Sequence, residues 1–109
     1  MMNNYPKLDK NLQQIKSDLS ELDHILTKYK TAIDNSRYTS IKGEVNELRS
    51  KYQQFYQTYE KYEEKIPAGK KELKRFDKKV KGISKKSKAL KVVTSRYLKQ
   101  LKIELLNLK

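Results

Sequence analysis

Residues 70–109 read KKELKRFDKK VKGISKKSKA LKVVTSRYLK QLKIELLNLK, forty positions without a proline. Apolar side chains recur at alternating steps of three and four: Leu73, Phe76, Val80, Ile83, Leu90, Tyr97, Leu101 and Leu108. Ser87, Thr94 and Glu104 fill the other places of that register. A second series keeps the same steps on the opposite side: Lys71, Lys74, Lys78, Lys81, Lys85 and Lys88. Each series gathers on one face only in an α-helix. The stretch therefore predicts a long helix, over about 70–108, with an apolar seam on one side and a ladder of cations on the other. Gly82 and Ser84-Lys85-Lys86-Ser87 mark the place, near 82–87, where such a helix would break.

Two further seams precede it. Tyr5, Leu8, Leu12, Ile15, Leu19, Leu22, Leu26, Tyr29 and Ile33 keep the same alternation, with Pro6 and Asp9 suited to a first turn. This predicts a helix over about 6–34. The register slips by a step of five at Asp34-Asn35-Ser36, residue types that favour turns and N-caps, so a tight connection is expected there. Tyr38, Ile41, Val45, Leu48, Tyr52, Phe55, Tyr59, Tyr62 and Ile66 form the second seam, over about 38–66. Gly43 weakens its start and Pro67-Ala68-Gly69 ends it. Two helices of such length would be about 42 Å long against about 60 Å for the third, so an unbroken third helix is expected to overhang at its C-terminal end.

With 109 residues there is room for one domain, 1–109. Three glycines, two prolines and no cysteine favour long helices over a many-turned β fold and exclude disulfide and thiolate chemistry. The reading is all-α: an antiparallel three-helix bundle or coiled coil with a long basic third helix. Its length and heptad layout resemble a spectrin-type three-helix repeat, without the tryptophan usual in the first helix. The likeness is one of packing and implies no activity.

Charge is distributed unevenly. Residues 1–36 are neutral overall, 37–66 carry +1, and 67–109 hold fifteen cations against three anions. An excess confined to one element points to a binding face. No apolar run reads as a signal peptide or a spanning helix, so the default expectation is a cytoplasmic protein.

Catalysis needs convergent groups with tuned ionisation, and none is legible. His24 lies two positions past the seam residue Leu22, facing water, with poor metal-ligand spacing around it. There is no phosphate loop and no nucleophile motif. The expectation is a non-enzyme without cofactor, metal or small-molecule substrate. Tyr52, Phe55, Tyr59 and Tyr62 fall on the seam and read as core, leaving Tyr56 off it.

Two surfaces remain. Leu98, Leu101, Leu105, Leu106 and Leu108, with Val92, Val93 and Ile103, cover more of the third helix than one seam needs. Either the other helices wrap this end, or a partner or second copy covers it. Lys71, Lys74, Arg75, Lys78, Lys81, Lys85 and Lys88 form a cationic face for nucleic acid with little sequence preference or for an acidic protein. The first expectation is a helical interaction or adaptor protein associating through its seams and apolar C-terminal end; the alternative is a nucleic-acid-binding accessory protein. A membrane surface is the weaker fit.

Overall fold

The computed structural model describes residues 5–65 and 67–107. It contains three α-helices, α1 (Pro6–Lys28), α2 (Asn35–Glu64) and α3 (Lys70–Leu106). They lie side by side in a rod with principal extents of 59 × 21 × 19 Å. The long axis matches the roughly 55 Å expected of a 37-residue helix. Cross-helix contacts fix the directions. Tyr5 donates to Asp77 and Ser95 to Asp18, so α1 and α3 run parallel. Arg49 pairs with Asp23 and Arg37 with Glu104, so α2 runs antiparallel to both. The chain is an up-down-up, all-α three-helix bundle.

The three seams form the core. Leu8, Leu12, Ile15, Leu19, Leu22 and Leu26 of α1 are each at most 4% exposed. They meet Ile41, Val45, Leu48 and Tyr59 of α2 and Phe76, Val80, Leu90 and Leu101 of α3. One end is aliphatic; the other is aromatic, with Tyr62 edge-on to Phe76 at 5.0 Å between ring centroids. α1 packs most extensively on α3, through an added row, Asn11, Asp18 and Ile25, beside its seam. Asp18 is 5% exposed. Its carboxylate accepts from Ser95 at 2.8 Å and Gln14 at 2.9 Å, which compensates the loss of water. Ser87 and Thr94, both 0% exposed, are the small members of the α3 seam. Their hydroxyls donate to the carbonyls of Ser84 and Leu90, so a polar atom inside the rod is satisfied within its own helix.

The boundaries differ from the spacing in three places. α1 ends at Lys28, earlier than expected, yet Ile33 is still 8% exposed. Its amide donates to the Tyr29 carbonyl, so an isolated turn keeps the helical step after the helix has stopped. α2 begins at Asn35 rather than 38, because Asp34 caps it by accepting from the Arg37 amide at 2.9 Å. α3 runs unbroken through 82–87, where buried Ser87 holds the seam across the weak point. Nor does its C-terminal end overhang: Leu101 and Leu105 pack beside Ile33 and Ile41, and Glu104 pairs with Arg37. Leu108 and Ile66 lie outside the described residues.

Candidate interaction face on the third helix

Because α3 is one continuous helix, its stripes can be followed from end to end. The buried stripe is Phe76, Val80, Ser87, Leu90, Thr94, Leu98, Leu101 and Leu105. Lys71, Lys74, Lys78, Lys81, Lys85 and Lys88 are all exposed. At 3.6 residues per turn their mean direction lies roughly 160° around the axis from that stripe. Arg75, Lys79 and Lys86 are exposed beside them.

Among the described residues no ion pair engages this ladder. Of the three anions of α3, Asp77 accepts from Tyr5, Glu104 pairs with Arg37, and Glu72 sits in the first turn beside Gly69. The ion pairs among the described residues join Arg37 to Glu104, Arg49 to Asp23, Lys51 to Glu47 and Lys102 to Glu21, and none involves a ladder lysine. Like charges at three- and four-residue steps cost a helix about 0.2–0.5 kcal/mol per pair. Among the described residues no ion pair offsets this repulsion.

The C-terminal leucines divide, and here the structure corrects the sequence reading. Leu98, Leu101 and Leu105 are 7%, 4% and 6% exposed and belong to the chain's own aliphatic core. Folded, they are closed to a partner. Leu106 is 66% exposed, and Leu108 lies outside the described residues. The exposed apolar surface is instead Val92, Val93, Ile103 and Leu106. Three of these continue the ladder's own register: 88, 92, 96, 99, 103, 106, in steps of three or four. The outer stripe thus runs the length of α3, all lysine to 88 and then Val92, Arg96, Lys99, Ile103 and Leu106, every member exposed. Extending the lysine series beyond Lys88 would have found the change from charge to grease.

Elsewhere the surface offers less. His24 is exposed. Among the described residues no cluster of His, Cys, Asp or Glu is placed to hold a metal ion. At the α2–α3 end an open recess of about 460 Å³ has Lys61, Lys65, Arg75 and Lys79 around the rings of Tyr62 and Phe76, with Glu72 on its rim. Tyr56 is 42% exposed and stacks on Tyr52 at 5.9 Å. Burial, then the neighbouring Asp9 carboxylate, pushes the Tyr59 phenol well above its ordinary range. Burial, then a hydrogen bond to Glu44, does the same to Tyr97. Both are core tyrosines held neutral. No described helix is long and apolar enough to cross a membrane.

Compared with known proteins, the chain matches no family model, and no curated protein or solved structure is similar enough to carry a function across.

Proposed function

We propose that this chain is a non-catalytic helical interaction protein whose working surface is the outer face of α3. One observation carries the reading. Of the five large hydrophobic side chains that stand exposed among the described residues, four are on the last turns of α3, and three of these are in line with a lysine ladder that has no ion-pair partner among the described residues. Exposed apolar side chains gathered on one element mark a contact surface. A cationic stripe beside them attracts an anionic partner and orients it. The surface for an adaptor role thus lies outward of the seams, since the seams are consumed by the bundle.

The test is capture from a native lysate at low salt, with and without nuclease, using the full chain and two surface variants. One carries Val92→Ser, Ile103→Ser and Leu106→Ser; the other carries Lys74→Glu, Lys78→Glu, Lys81→Glu and Lys85→Glu. The expected result is a nuclease-resistant protein partner lost in both variants while the helical circular-dichroism signal is kept. Retention by both variants would overturn the reading.

The unpaired ladder supports a second reading, nucleic-acid binding through the same face. If it neutralises six phosphates, log K on duplex DNA should fall with log salt at a slope of about −5. No retention on DNA or RNA at low salt ends it.

A further inference from the structure

The outer stripe of α3 is a seam in its own right. Eleven positions, 71, 74, 78, 81, 85, 88, 92, 96, 99, 103 and 106, keep steps of three or four over the whole helix, and all are exposed. Such a repeat is the surface a second α-helix reads, knob into hole, along a line one residue wide. Resting on the reading above, we propose that its occupant is an acidic amphipathic helix of another protein, laid along α3 as a fourth helix. Its carboxylates oppose Lys71–Lys88, and its apolar side chains oppose Val92, Ile103 and Leu106.

Charge and shape select this occupant. No carboxylate lies anywhere on the stripe. A second copy packed through the same face, in either direction, sets lysine against lysine or lysine against valine and leucine. It gains no counter-charge, and like charges brought together are costly. A nucleic acid satisfies the ladder but has nothing to offer Val92, Ile103 and Leu106. A membrane surface requires a wide apolar face. Here the apolar members stand in a narrow line divided by Arg96 and Lys99, and the aromatic rings of α3, Phe76 and Tyr97, turn inward. An acidic helix with a short apolar segment meets both halves. Gly82 lies on the flank of this seam: a Cβ there would meet nothing within 4 Å, so no side chain of the bundle crowds a neighbouring backbone at that point.

The probe is a pair of synthetic peptides of about 36 residues, the number needed to span about 54 Å of helix. One places Glu at three-four steps over half its length and Leu at the same steps over the rest, made in both chain directions. The other has the same composition scrambled. Binding to the full chain is read by fluorescence anisotropy, alongside a labelled DNA duplex, phosphatidylserine vesicles and the sedimentation behaviour of the chain alone. The patterned peptide should bind at least about tenfold more tightly than the scrambled one. That preference should be lost both with Lys78→Glu, Lys81→Glu and Lys85→Glu and with Ile103→Ser and Leu106→Ser. Gly82→Ala should weaken the peptide while raising the thermal midpoint of the free protein.

Equal binding of the two peptides, or no binding of the patterned one, overturns the proposal. So does tighter binding of DNA or vesicles, or self-association of the free chain through this face. If the surface variants still lower binding of DNA, vesicles or both peptides, the outer face stands as the working surface and only the helical occupant falls. If they change no probe, both readings fall.

Discussion

The two sides of α3 share one spacing and differ in nearly everything else. Inward, Phe76, Val80, Leu90, Leu101 and Leu105 are at most 7% exposed, and even the polar members Ser87 and Thr94 have their hydroxyls bonded within the helix. Outward, at the same steps, stand six lysines and then Val92, Ile103 and Leu106, all exposed, and none of the six lysines has an ion-pair partner among the described residues. Periodicity says that a residue is on a face; it does not say whether the face is covered. The inner stripe supplies the stability of the fold, while the outer one is sequence information that the fold does not use.

Truncating one leucine on each side makes that difference measurable. Leu101→Ala removes a side chain 4% exposed and packed among both other helices, and should cost about 2–5 kcal/mol in urea unfolding. Leu106→Ala, five residues on and 66% exposed, should stay within about 0.5 kcal/mol of the parent. Equal losses would mean that Leu106 is covered in solution.

Most of the inner face was legible because hydrophobic spacing is a direct record of burial. Every seam residue of α1 from Leu8 to Leu26 is buried, and the expected core role of Tyr52, Phe55, Tyr59 and Tyr62 agrees with their partial or full burial, with Tyr56 outside. What was not legible followed from interactions that spacing does not encode. The end of α1 was masked by a turn that keeps the helical step at Ile33, and the start of α2 by the strength of the Asp34 cap. Asp18 lies off the α1 seam; only the parallel approach of α3 turns it inward to Ser95. The C-terminal leucines misled because Leu98 and Leu105 widen the inner stripe toward a second helix, whereas Leu106 belongs to the outer one.

A second test presses on the inner face by overfilling it. Ser87 occupies a seam position where the repeat would accept leucine, yet it is 0% exposed. Ser87→Leu should therefore destabilise by about 1–3 kcal/mol, through displaced neighbours and not through lost polarity. Ser87→Ala, which adds no volume, should fall well short of that loss. A stabilised leucine variant would show unfilled space between α1 and α3.

Alkaline titration probes the inner face alone. Tyr59 and Tyr97 ionise in the folded protein above the ordinary 10.0, so the unfolded chain releases their protons first. Their contribution to stability is whole below pH 10 and declines as pH rises toward their folded values, by at most about 1.4 kcal/mol per pH unit for each phenol. Comparing the parent with Tyr59→Phe and Tyr97→Phe isolates the inner effect: the double variant should lose less stability between pH 10 and 12. Parallel curves for the two proteins would remove that assignment.

The smallest expected effect bears most directly on the outer face. Lys78 has Lys74, Arg75 and Lys81 at helical neighbour positions, and no carboxylate partner among the described residues. Lys78→Glu converts three repulsive pairs into attractive ones, each worth about 0.2–0.5 kcal/mol. The variant should be more stable than the parent by roughly 1 kcal/mol at low ionic strength, the low end of that sum, because the pairs are exposed. The gain should shrink at 1 M salt, where screening acts within about 3 Å. A residue kept for stability would not improve on reversal of its charge, whereas one kept for an outside contact would. If Lys78→Glu destabilises, the ladder has a partner inside the bundle, and the contrast between the two sides of α3 loses its electrostatic half.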